Sequence, residues 1–229
     1  MKMMPQKKNG FTLIELSIVL VIVGLLVGGI IIGQSLIRNS EMRSVMTSVD
    51  TFKATVGTFR LKYNGLPGDM PNITNFLGGG VTNGNGNSRI DYLGGALGEE
   101  YNAWQHLSEA KMIAGSFDGT STSLPKSRMG GGFFRVSYQT NVYGKSANMI
   151  SFNAMNSLFN LAHNAILTPT EAFSIDGKLD DGNADKGKVL GFNPEGVPGC
   201  VTNDHTSATG DYILTNNGVL CKLFFLLDF

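Results

Sequence analysis

From residue 11 to residue 37 the chain reads FTLIELSIVLVIVGLLVGGIIIGQSLI, an apolar run with one charge, Glu15, near its start. The run exceeds the roughly 20 residues that a helix needs to cross a bilayer. The pattern then changes. Met42, Val45, Val49, Phe52, Val56, Phe59 and Tyr63 recur at steps of three and four, with Glu41, Arg43, Asp50, Lys53, Arg60 and Lys62 between them, which predicts an amphipathic helix. Its apolar stripe covers only about three heptads, so the domain that follows at once is a nearer partner than a coiled-coil mate. Asn64-Gly65-Leu66-Pro67-Gly68 stops the helix. A continuous helix over 11–63 would be about 80 Å long, more than a globular domain needs. Its second half is expected to lie against a head. Its first half is left for a membrane or for a bundle of identical helices.

The head, 65–229, is long enough for one domain with a core. Residues 100–113 have helical spacing, with Tyr101, Trp104, Leu107 and Ile113 on one side and Gly115 as a stop. Alternation predicts strands over 133–142, 149–152, 188–192, 212–214 and 219–226. Thr168-Pro169-Thr170-Glu171 has the order of a capped helix start, with the hydroxyl at the cap, proline first and Glu three on. Asn/Gly-rich pieces, 78–87 above all, read as exposed loops.

Charge sharpens the picture at the N-terminus. Lys2, Lys7 and Lys8 precede the apolar run, and basic flanks of this kind stay cytoplasmic, which places the head outside. A carboxylate inside hydrocarbon costs roughly 2.5–3.5 kcal/mol on insertion scales, so Glu15 needs a partner or a use. A cleaved secretory signal has a shorter apolar core and a small-residue site, and this run has neither. A plain single-pass anchor leaves Glu15 unexplained. The Gly24/Gly28 and Gly29/Gly33 spacings fit small-residue packing faces between membrane helices.

Lys8-Asn9-Gly10-Phe11-Thr12-Leu13-Ile14-Glu15-Leu16 resembles the prepilin cleavage and methylation motif of type IV pilins and type II secretion pseudopilins. The resemblance covers about the first quarter of the chain. It implies an α+β, pilin-like ladle: one long N-terminal helix, membrane-spanning in its first half, packed on a small antiparallel sheet. It divides the chain into a leader (1–10), a transmembrane or filament-core helix (11–38), an amphipathic second half (39–64) and a periplasmic or extracellular head (65–229). A prepilin peptidase would cut between Gly10 and Phe11 and methylate the new Phe11 amine. Glu15 would attract the Phe11 amine of a neighbouring subunit, and opposite charges in a dry medium offset part of their desolvation. Implied partners are that peptidase, copies of the chain or related pilins, the inner membrane and its assembly machinery. Many relatives carry a proline midway along the helix, and this chain has none there.

Cys200 and Cys221 flank a polar loop near the C-terminus. In an exported head they are expected to form a disulfide, and the family often closes a C-terminal loop this way. A metal site at these thiols would have only His205 nearby. A second candidate is acidic: Asp176, Asp180, Asp181, Asn183 and Asp185 lie in IDGKLDDGNADKG, and Asp181-x-Asn183-x-Asp185 has the alternating oxygens of calcium loops. Lys186 stands where such a loop needs Gly, and Phe192 where it needs the bidentate Glu. Some pseudopilins bind calcium in the head; an acidic Asp-Gly turn accounts for the same residues. Calcium is therefore the one cofactor to test, and no other is expected.

Enzymatic chemistry finds no footing. His106, His163 and His205 are scattered, without a zinc-protease, phosphate-loop or nucleophile-elbow pattern. Without its first ten residues the chain carries 15 Lys+Arg against 18 Asp+Glu, with no basic cluster for nucleic-acid phosphates. Two functions remain. One is a filament subunit, processed and polymerised through its helix, located first in the inner membrane and then in a periplasmic or extracellular filament. The other is a membrane-anchored periplasmic module that binds a ligand or calcium.

Overall fold

A computed structural model describes residues 10–92, 98–156, 161–194, 197–203 and 209–228. The leader up to Asn9, and His205, lie outside these. The chain divides into two compact units, Met1–Glu41 and Met42–Phe229.

The first unit is helical. Helix α1 (Leu13–Tyr63) begins here, and its apolar side chains, Leu13, Leu20 and Leu25 among them, are exposed. It is the helix among the described residues that is long and apolar enough to cross a membrane. Its few hydroxyls satisfy themselves: Ser17 Oγ donates to the Ile14 carbonyl at 2.9 Å and Ser35 Oγ to that of Ile32 at 2.8 Å. Such back-bonding removes the penalty of an unpartnered hydroxyl in an apolar medium.

The second unit is the head, in which the later turns of α1 lay down the stripe read from the sequence. Met42, Val45, Val49, Val56 and Phe59 are buried in the main core, while Phe52 and Tyr63 are half-buried against it. Phe52 meets Trp104 edge-on at 4.9 Å and Phe134 at 5.2 Å, arrangements that ring quadrupoles favour. Trp104 belongs to α3 (Glu99–Glu109), and α2 is a single turn (Thr74–Leu77) that the sequence did not announce. Helix α3 stops four residues short of the expected end. Lys111 adopts φ +58° and Gly115 φ +101°, and Ile113 packs from the turn rather than from the helix.

The sheet is antiparallel throughout, with β1 (Gly132–Val142), β2 (Lys145–Asn156), β5 (Lys222–Leu226) and β4 (Val189–Phe192) side by side, and β3 (Leu161–Asn164) pairing with β2. This is the α+β, pilin-like class. β1 and β2 form one hairpin, closed by the pair Val142 and Lys145 around Tyr143 (φ +49°) and Gly144 (φ +75°). Two positive φ angles match the primed turns that suit strand twist. On β5 the side chains alternate: Leu223 and Phe225 join the main core, while Phe224 joins Val142, Met149, Leu190 and Phe192 on the opposite face. Helix α4 (Pro169–Leu179) has the full capping box read from its sequence, with Thr168 Oγ1 accepting from the Glu171 N–H at 3.3 Å and Glu171 Oε2 accepting from the Thr168 N–H at 2.9 Å.

Two strand expectations need correction. Residues 212–214 are not a strand: Tyr212 makes one isolated bridge with Val201, and the chain turns at once. β5 begins at Lys222 instead of 219, because Leu220 and Cys221 give their N–H groups to the Leu167 carbonyl and leave the ladder.

Candidate functional site

The N-terminal site is a short irregular entry into a helix. Gly10, Phe11 and Thr12 precede α1, and Gly10 and Phe11 are exposed, Phe11 by 83 %. A Cβ on Gly10 would meet nothing within 4 Å, and its φ lies outside the left-handed region. Nothing among the described residues therefore requires glycine there. The requirement, where there is one, comes from a partner that must approach the backbone closely.

Glu15 has a local role that the sequence reading did not credit. Its Oε2 accepts from the Thr12 N–H and from Thr12 Oγ1, each at 2.8 Å, while Thr12 Oγ1 accepts from the Glu15 N–H at 3.3 Å. This is a reciprocal capping box: Thr12 is the cap, Glu15 the third helical residue, and two orphan N–H groups of the first turn are satisfied. The signal was present as Thr-Leu-Ile-Glu, the same Thr-x-x-Glu spacing that was read at Thr168. A carboxylate at a helix N-terminus is also favoured by the macrodipole. Glu15 is thus held in place by its own first turn.

In the head, Cys200 and Cys221 are joined as a disulfide, separated by 21 residues. The head also holds a buried hydrogen-bond hub. Asp176 of α4 is fully buried; its Oδ2 accepts from the Tyr212 hydroxyl at 2.9 Å and its Oδ1 from the Gly182 N–H at 3.1 Å. Burial pushes the Asp176 carboxyl up to about 7 against the pull of those two donors, and burial also pushes the Tyr212 hydroxyl well up.

One carboxylate oxygen from each of Asp176, Asp180 and Asp181 lies within 4.8 Å of the others; Asp185 is not in that group. Asp180 Oδ2 accepts from the Lys188 and Val189 N–H groups, and Asp181 Oδ1 from the Asn183 N–H at 2.8 Å. These bonds tie the turn after α4 to the start of β4. Three carboxylates, one buried, one half-buried and one exposed, fit calcium only in part, because calcium takes six to eight oxygens.

Three further polar groups sit in the core. The carboxylate of Glu100 stands 3.3 Å from Arg135 Nε, both nearly inaccessible, and burial pushes Glu100 up to about 7 despite the guanidinium. His106 is fully buried between Gly68 and Thr82, and burial lowers it to about 4. His163 lies in β3, whose register places Ala162 opposite Met155.

Residues 5–31 match the family model of the prokaryotic N-terminal methylation motif. No curated protein and no solved structure matches the chain. The matched stretch covers the exposed Gly10-Phe11 junction, the Thr12–Glu15 cap and the apolar turns that follow, so the chain carries the signature of type IV pilins and pseudopilins at its N-terminus.

Proposed function

We propose that the protein is a structural subunit of a pilin-type filament. A prepilin peptidase cuts between Gly10 and Phe11 and methylates the freed amine. The apolar part of α1 then holds the chain in the inner membrane with the head outside, and subunits polymerise through that helix. The observation that carries this reading is the Gly10-Phe11 junction: exposed, free of any need for glycine among the described residues, and followed at once by an exposed helix of membrane length. In the filament the Glu15 carboxylate takes the Phe11 amine of the next subunit, so that neither charge is buried alone. The head supplies packing and surface, not catalysis.

Glu15→Gln tests the pairing cleanly, because Gln keeps the capping box and loses only the charge. The expected result is a cleaved protein that stays in the membrane fraction and is missing from sheared filaments. Normal incorporation of the variant would contradict the reading.

A second reading, a tethered head that binds calcium, is favoured by the convergence of Asp176, Asp180 and Asp181. Calcium calorimetry on the full chain in micelles, with melting followed in chelator, tests it: heat on addition and a lower melting temperature in chelator support it, and a flat trace with unchanged melting removes it.

A further inference from the structure

An asparagine followed by glycine is where a chain most readily attacks itself, since glycine's nitrogen has no Cβ to shield it. The described residues hold four such pairs: Asn64-Gly65, Asn83-Gly84, Asn85-Gly86 and Asn217-Gly218. In three of them the glycine N–H is engaged. Gly84 donates to the Met70 carbonyl at 2.9 Å, Gly86 to the Asp69 carbonyl at 2.7 Å, and Gly218 to Asn216 Oδ1 at 3.1 Å. Two of the side-chain amides are held as well. Asn83 Oδ1 accepts from the Thr74 N–H at 3.1 Å, while Asn85 accepts from the Asn87 N–H at 3.0 Å and donates to Asp91 at 3.1 Å.

The first pair differs in both reacting groups. Neither the Asn64 side chain nor the Gly65 N–H has a partner among the described residues. Asn64 is exposed, follows the last residue of α1 and sits at φ +54°. It also lines an open cleft of about 530 Å³ with Arg60, Tyr63 and Phe76, so water and the leaving ammonia have free passage.

We propose that Asn64-Gly65 is a site of spontaneous backbone modification, at which the head slowly acquires a carboxylate. The Gly65 nitrogen bonds to the Asn64 side-chain carbon; the bond from that carbon to Nδ2 breaks, and ammonia leaves with the proton from Gly65. Water then opens the five-membered imide at either carbonyl, giving aspartate or isoaspartate. No oxidant, enzyme or cofactor is consumed. The product puts a negative charge at the C-terminal end of α1, the end that the macrodipole makes unfavourable for anions, beside Arg60. Isoaspartate also lengthens the backbone at the turn between the helix and the rest of the head.

Peptide mapping by mass spectrometry tests this on the full chain in micelles, aged in mildly alkaline buffer, with a parallel sample aged in denaturant. Freeing an N–H from a hydrogen bond to a backbone or side-chain oxygen is worth a few-fold to about tenfold in rate. Asn64 is therefore expected to convert that much faster than Asn83, Asn85 and Asn217 in the folded protein, and all four at similar rates in denaturant. Gly65→Ala, whose Cβ would press only on the flexible Met70 side chain at 3.3 Å, is expected to suppress conversion at Asn64 and leave the other three unchanged. Equal or faster conversion at any of the other three in the folded protein, or no conversion at Asn64, overturns the proposal.

Discussion

The backbone N–H of Gly68 donates to Nδ1 of His106 at 2.8 Å, across 38 residues of chain. That bond fixes the tautomer: Nδ1 is the acceptor, so the proton is on Nε2, which donates to the Thr82 carbonyl at 2.8 Å. One neutral ring of α3 therefore pins two segments that precede the helix in the chain. Protonation would set a ring N–H against the Gly68 N–H. Burial holds His106 down at about 4, below the 6.5 of the free side chain. A folded value below the unfolded one means stability that is complete above about pH 6.5 and lost as pH falls toward 4, about 3 kcal/mol over the whole window. Glu100 and Asp176, both raised to about 7, act in the opposite sense, since their share is present below the unfolded carboxylate values and is lost as pH rises through 7. The comparison with His106→Gln isolates the histidine. Denaturation followed by Trp104 fluorescence is expected to show a gap between wild type and variant that is widest at neutral pH and closes below about pH 5. A gap independent of pH would contradict the assignment.

Tyr212→Phe removes the hydroxyl that Asp176 Oδ2 accepts from while leaving the ring in place. A buried acceptor left without its donor costs about 1–3 kcal/mol, so the variant is expected to melt several degrees lower at neutral pH. Because Asp176 titrates at about 7, the loss should grow above neutral pH, where the carboxylate is ionised, and shrink below it. Equal melting of variant and wild type at neutral pH would show that the bond contributes nothing.

The Cys200–Cys221 disulfide closes a loop that the chain-entropy estimate values at about 3 kcal/mol. Cys200→Ser with Cys221→Ser is expected to lose that much in denaturant titration and to loosen the Leu167 contacts of Leu220 and Cys221. Hydrogen exchange at those two amides provides the check.

Two glycines give contrasting predictions. Gly68 has φ +87° and its Cβ would lie 2.3 Å from the Glu99 carbonyl oxygen, so Gly68→Ala is expected to destabilise the head by several kcal/mol. Gly10 has open space around it, so Gly10→Val is expected to leave melting unchanged while stopping cleavage. A Gly10→Val protein that is still processed would show that the glycine serves neither the fold nor the peptidase.

What the sequence made legible was local in origin. The α4 cap was readable because Thr168 and Glu171 are three residues apart, and the α1 stripe because seven apolar residues repeat along one helix. The Thr12–Glu15 cap was equally local, with the same three-residue spacing, although an acid at the head of an apolar helix also fits a role between subunits. The structural use of His106 was not readable, since its partners are backbone groups 38 and 24 residues away. The apparent strand at 212–214 failed for a similar reason: Tyr212 points its hydroxyl at Asp176, 36 residues back, and its alternation with Leu214 reflects that anchor rather than a ladder. β3 and α2, of four residues each, were too short for periodicity to register.

The most direct test of the central claim is the intact mass and N-terminal sequence of the protein recovered from cells with and without the prepilin peptidase. The account predicts a chain that begins at Phe11 and carries one added methyl group when the peptidase is present, and a chain that retains its leader when it is not. A chain that keeps the leader in both cells would contradict it, reducing α1 to an anchor and leaving the binding-module reading in its place.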